Sequence, residues 1–131
     1  MVLLTAYYAS LMAIILVYLA VRVTLCRRRF QIGLGDGGNQ ELSVLIRAHA
    51  NALENIPFTL VLMLLAELNG LAPAYLHAAG IALLVSRLAH AYGFIVARGA
   101  YARARAFGIL VNWILLLALA FANVGLVYAQ Y

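Results

Sequence analysis

Residues 46–60, IRAHANALENIPFTL, place Arg47, His49, Asn51, Glu54 and Asn55 within nine positions and follow them with Pro57. At 100° per residue, Arg47, Asn51, Glu54 and Phe58 repeat at 4-3-4 spacing and share one stripe of a helix. His49 and Asn55 fall off that stripe, toward other neighbours. A second set, Arg87, His90, Phe94 and Arg98 in SRLAHAYGFIVARG, recurs at 3-4-4 spacing and is expected on one face of a later helix. Guanidinium groups suit carboxylates, and a carboxylate suits an ammonium group. Such a set can hold a small anionic, water-soluble molecule beside apolar helix surfaces. The bland alternative is a buried ion pair that sets helix register, which brings little net stability once desolvation is counted.

The elements that carry these residues are apolar. The chain has 131 residues, 67% of them hydrophobic and 10% charged, with a mean hydropathy of +1.01. That profile is of an integral membrane protein. A spanning helix takes about 20 apolar residues, and four stretches qualify, at about 3–25, 43–68, 73–96 and 106–128. The connections are too short for a soluble domain. The expected fold class is therefore all-α: one transmembrane four-helix bundle over 1–131, running up-down-up-down. MVLLTAYYAS lacks the basic segment of a signal peptide and reads as the start of a retained helix. The lone Cys26 excludes an internal disulfide.

The net charge of +5 comes from nine arginines and no lysine. Arg22, Arg27, Arg28, Arg29, Arg47, Arg87, Arg98, Arg103 and Arg105 belong to helix ends that share one face of the bundle. Tyr7, Tyr8, Tyr75, Tyr128 and Tyr131 lie toward the opposite ends and are expected as interfacial anchors. By the positive-inside rule, loops 26–42 and 97–105 face the cytoplasm of a bacterial inner membrane, both termini face out, and a site near the basic ends opens inward. The basic face is an orientation signal and a contact surface for anionic lipid, not for nucleic acid.

Between helices 1 and 2, Gly33, Gly35, Gly37 and Gly38 lie close together, but no strand precedes them as a dinucleotide loop requires. The segment reads as a mobile connection with Asn39 as an N-cap, and LNGLAP at 68–73 reads as a tight turn. Polar groups inside helix 2 are costly: roughly 2.5–3.5 kcal/mol for an Arg or Asp at a helix centre. They persist when they face a bundle interior or a watery cavity. Glu54 and Arg87 both lie about 12 Å inside the basic ends of their helices, so they are expected to pair. Pro57 is expected to bend helix 2 and to free the carbonyl of Leu53. No HxxxH or CxxC pair supports a metal site.

The run from Arg47 to Phe58 resembles the RxHxNxxEN signature of MAPEG proteins (membrane-associated proteins in eicosanoid and glutathione metabolism), and Arg87-Leu-Ala-His90 is similar to the same family's helix 3 pattern. Length, helix count and loop placement resemble short bacterial members end to end. The resemblance implies a left-handed four-helix protomer assembling as a homotrimer, with glutathione as co-substrate between subunits. It implies glutathione contacts at Arg47, His49, Asn51, Glu54, Arg87 and His90, with Arg98 beside them. It also implies one from a basic residue late in helix 1, which Arg22, Arg27 or Arg28 could match, with Arg28 taken as the candidate. An arginine early in helix 4 stabilises the thiolate in the family, and Arg103 and Arg105 both qualify. Ala50 stands where some eicosanoid enzymes carry a further arginine. Phe94 stands where the family's tyrosine is expected, and Tyr92 lies on another face.

The activity implied is conjugation of glutathione to lipophilic electrophiles, or reduction of lipid hydroperoxides, with membrane lipids and a lipophilic small molecule as partners. The alternative is a non-catalytic lipid-binding helper of the same fold. A small multidrug exporter is disfavoured because helix 1 lacks an embedded glutamate.

Overall fold

The computed structural model describes residues 3–130, so the expected anchor at Tyr131 lies outside the described residues. Four helices follow in order: α1 (Leu4–Phe30), α2 (Gln40–Leu68), α3 (Pro73–Val96) and α4 (Arg103–Tyr128). All four are long and apolar enough to cross a membrane. α3 has the expected bounds. α1 runs on to Phe30 because Arg27, Arg28 and Arg29 occupy its last turn, where cations complement the helix dipole. Gln31, at φ 55°, closes it in the left-handed region. α2 starts at Gln40 because the Asn39 side chain accepts from the amide of Leu42 at 2.9 Å, as the sequence led us to expect. α4 starts at Arg103, on two arginines that the apolar run did not include.

The Gly-rich connection is tied back onto α1. Arg27 Nη1 donates to the carbonyl of Gly35 at 2.8 Å, and the Gly38 amide donates to Asp36 Oδ1 at 3.0 Å. That amide holds the Asp36 carboxyl below the usual carboxylate range. At the other end, Gly70 takes φ 86° and Pro73 enters α3 at its first turn. Pro57 does not interrupt α2, which stays helical through it. Side chains decorate the backbone there: Asn55 Nδ2 donates to the Asn51 carbonyl at 2.8 Å, and Thr59 Oγ1 to the Asn55 carbonyl at 2.9 Å.

α2 and α3 form the central pair, with α1 against both on one side and α4 against both on the other; α1 and α4 do not meet among the described residues. The core between them includes Met12, Leu19, Ile56, Met63, Leu83 and Leu119. Tyr8 is not the anchor expected from sequence. It is 4% exposed, its ring fills the space where Gly80 has no side chain, and its hydroxyl bonds His77 Nδ1 at 3.0 Å. Tyr7, Tyr75 and Tyr128 remain exposed.

α1 has no side-chain cap of its own. Glu67, at the end of α2, supplies one: its carboxylate accepts from the amides of Leu3, Leu4 and Thr5 at 2.9, 2.9 and 2.8 Å. These are amides that no carbonyl within the helix can reach. Glu67→Ala is expected to lower unfolding stability in detergent by about 0.5–2 kcal/mol, the usual cost of a lost N-cap. Glu67→Gln, with one acceptor oxygen fewer, is expected to fall between. Unchanged unfolding of Glu67→Ala would show the cap to be idle.

Candidate functional site

α2 is 29 residues long, about 43 Å at 1.5 Å per residue. Glu54 stands at its midpoint, and Asn51 nearly one turn closer to the basic end. Arg87 lies about 14 Å from the end of α3 at Val96. Its level therefore matches Asn51 better than Glu54, and Asn51 is also the residue turned toward it.

The expected Glu54–Arg87 pair accordingly does not form. Arg87 is sealed inside the protomer at 3% exposure. Its guanidinium donates from Nη1 to Asn51 Oδ1 at 3.1 Å, from Nη2 to the Gly108 carbonyl at 3.1 Å and from Nε to Ser86 Oγ at 3.3 Å. Arg87 thus joins α2, α3 and α4 by neutral acceptors. Glu54 instead lies 3.9 Å from Arg47, one helical stripe with it, and both side chains are more than half exposed on the outside of the protomer. Phe58, Val61 and Leu65 continue that open stripe.

The polar network extends into α4. Asn112 Nδ2 donates to Asn55 Oδ1 at 3.1 Å, and Asn112 is wholly buried with its own Oδ1 unpartnered. Sequence reasoning passed over Asn112. The available signal was a lone amide in the apolar run GILVNWILLL, since a polar residue at membrane depth generally faces the bundle interior.

A stack forms where α3 meets α4. The His90 ring stacks on Phe94 with the planes 23° apart and the centroids 5.8 Å apart, and the Arg105 guanidinium sits 4.4 Å from the Phe94 ring centroid. Arg105 Nη1 also donates to the Gly99 carbonyl at 3.2 Å. Arg105 is thus fixed by a ring and a carbonyl, and no carboxylate among the described residues takes its charge. Arg103 is exposed, and among the described residues its side chain makes no hydrogen bond. Close helix contact makes the stack possible. A Cβ on Gly93 would meet the Arg105 backbone nitrogen at 2.6 Å, and one on Gly108 would meet the Ser86 carbonyl oxygen at 2.5 Å.

The remaining predicted residues are spread out. Arg98 is not on the α3 face with Arg87 and His90: the helix ends at Val96, and Arg98 follows it at φ 50°. It lines a crevice with Arg22, Asn39 and Gln40 instead. His49 is half-buried and Arg28 exposed at the end of α1. Among the described residues no group of three or more His, Cys, Asp or Glu is placed to hold a metal ion. The structure therefore groups Arg87, Asn51, Asn55 and Asn112 inside, His90 and Arg105 at the α3–α4 junction, and Arg47 with Glu54 outside.

Two comparisons bear on this arrangement. The MAPEG family model matches residues 5–125. The chain is 40% identical to the inner membrane protein YecN of Escherichia coli (strain K12) over 119 residues, covering 91% of this chain and 88% of that protein. The same figures hold for the inner membrane protein YecN of Escherichia coli O6:H1 (strain CFT073).

Proposed function

Because the chain belongs to the MAPEG family, we propose that it is an inner-membrane, glutathione-dependent transferase or peroxidase acting on lipophilic electrophiles or lipid hydroperoxides. The observation that carries this reading is the Arg47–Glu54 pair, open on the outside of the protomer, with Glu54 at the midpoint of a membrane-length helix and Arg47 about two turns nearer its basic end. A charge at that midpoint is too costly to leave against acyl chains, since insertion scales charge roughly 2.5–3.5 kcal/mol for an Asp, Lys or Arg at a helix centre. We take the α2 stripe to be covered by further copies of the chain, in the homotrimer that the family resemblance implies, so that the pair lines a polar space between subunits.

The side chains suit the tripeptide chemically. Glutathione carries two carboxylates and an ammonium group; Arg47 offers a partner to the former and Glu54 to the latter. Asn51 is oriented by Arg87, which acts through it as a positioning residue. Of the two arginines early in α4, we assign the thiolate to Arg105, whose guanidinium is held on Phe94 and Gly99 while Arg103 is free in solvent. A fixed cation beside the sulfur favours the thiolate over the thiol. The thiolate then attacks the electrophilic carbon: the C–S bond forms as the leaving group departs with its electron pair. The arginine-rich end faces the cytoplasm, where glutathione would enter, and the apolar acceptor arrives along the helix surfaces.

Calorimetric titration of glutathione into detergent-purified protein, followed by assay with halonitrobenzene and hydroperoxide acceptors, tests this. Saturable heat and turnover are expected. Phe94, which brings no hydroxyl to the site, favours one rival: a lipid-binding helper without chemistry. That rival predicts bound lipid but no glutathione heat, and such a result would end the transferase reading.

A further inference from the structure

On the basic half of the protomer, α1 and α3 enclose an apolar groove of about 510 Å³ lined by Ile14, Tyr18, Leu88, Ala91, Tyr92 and Val96. At the basic end lies a polar crevice of about the same volume, 510 Å³, where Arg22, Arg98, Asn39, Gln40 and Glu41 converge. Arg22 and Ile95 line both spaces, so the groove and the crevice adjoin at these two residues. We infer that the two together bind one anionic phospholipid of the leaflet at the basic end, its phosphate on Arg22 and Arg98 and one acyl chain along α1 and α3.

Arg22 is the pivot of this assignment. It lies eight residues before the end of α1, about 12 Å inside the helix terminus. Among the described residues its side chain bonds only the Tyr18 hydroxyl, at 2.8 Å, and neither ion pair includes it. An arginine at that depth without a carboxylate needs an anion or must reach up to the headgroups. Arg98 is brought over the same space by an uncommon backbone: it takes φ 50°, and its carbonyl accepts from Gln40 Nε2 at 3.4 Å. Glu41 also faces the crevice, but Arg29 lies 4.0 Å from its carboxylate, which leaves the crevice net cationic.

The dimensions agree with a lipid rather than a soluble anion. From Ile14 to Arg22 the groove follows eight residues, about 12 Å of helix rise, against about 15 Å for the hydrocarbon depth of one leaflet. Ile14, Tyr18, Leu88, Tyr92 and Val96 are each half or more exposed, so the groove opens sideways, where an acyl chain enters. A free phosphate or glycerol phosphate would fill the crevice and leave the groove empty.

Native mass spectrometry of the full chain in detergent, supplied with dioleoyl phosphatidylglycerol, dioleoyl phosphatidylcholine or glycerol 3-phosphate, separates these cases. One retained phosphatidylglycerol per protomer is expected, with little phosphatidylcholine and no glycerol 3-phosphate. The double variant Arg22→Gln/Arg98→Gln should retain phosphatidylglycerol roughly 30-fold more weakly, from the usual contribution of two basic groups at an anionic surface. Arg28→Gln/Arg103→Gln, with the same net charge, should match the parent. Leu88→Trp, which fills the groove without touching the arginines, should also weaken retention. Equal loss in both double variants would reduce the effect to diffuse charge and overturn the assignment. So would glycerol 3-phosphate binding as well as the lipid does. Retention unaltered by Leu88→Trp alongside a changed oligomeric mass would give the groove to a second copy of the chain, and equally overturn it.

Discussion

Arg105→Leu is expected to raise the thiol pKa of bound glutathione by about two units, back toward the 8.5 of an unperturbed thiol. The sign follows from the charge: a guanidinium favours the thiolate, so its removal favours the thiol. At neutral pH the thiolate then falls from the major form to a few per cent. The ultraviolet absorbance of the thiolate should collapse at saturating glutathione, and the conjugation rate should recover only as pH is raised. Arg105→Lys keeps a charge but loses the flat guanidinium that rests on Phe94, and should fall between. Arg103→Leu, on an exposed residue, should keep the parent signal. The assignment is wrong if Arg103→Leu abolishes the absorbance and Arg105→Leu does not.

Gly108→Ala is expected to be a strongly damaging single-methyl change. The new Cβ would lie 2.5 Å from the Ser86 carbonyl oxygen and 2.8 Å from the His90 nitrogen. Both are backbone atoms of α3, so no side chain can turn aside. α3 and α4 must part, and with them the Gly108 carbonyl that accepts from Arg87. Overpacking alone costs about 1–3 kcal/mol, and an orphaned donor on a buried guanidinium adds to it. Gly125→Ala is the matched control: same helix, same added methyl, nothing within 4 Å. There the substitution should be neutral or slightly stabilising, since alanine is the better helix former. Thermal unfolding of the two variants in one detergent decides it, and equal midpoints would sink the close-contact argument.

The four helices were legible because about 20 apolar residues in a row admit few other fates. Asn39 was legible as a cap because its neighbours already ended the polar loop. The end of α1 and the start of α4 were not, because arginines continue a helix while ending an apolar run. The site was legible by residue type and less so by partner. Arg47 and Glu54 do lie together on the predicted stripe while Asn51 turns inward, but opposite charge and a similar expected depth suggested Glu54 for Arg87. Depth and azimuth decide otherwise, and Asn51 takes the guanidinium while Glu54 stays with Arg47. Residues that matter through contact between distant segments escaped entirely. Gly93 and Gly108 look like ordinary helix glycines until two backbones are brought together. Likewise Tyr8 looks like a headgroup anchor until Gly80 leaves room for its ring.

The Glu67 cap has a consequence for how the protein is made. Its carboxylate reaches amides 62 to 64 positions earlier in the chain, so a ribosome delivers α1 to the membrane well before its cap has been synthesised. Until α2 has crossed and returned Glu67 to that side, the first turn of α1 depends on water or on insertion machinery for its hydrogen bonds. The α1–α2 hairpin is thus the smallest nascent unit that can leave its helper complete, and release of α1 alone into lipid would strand three amides.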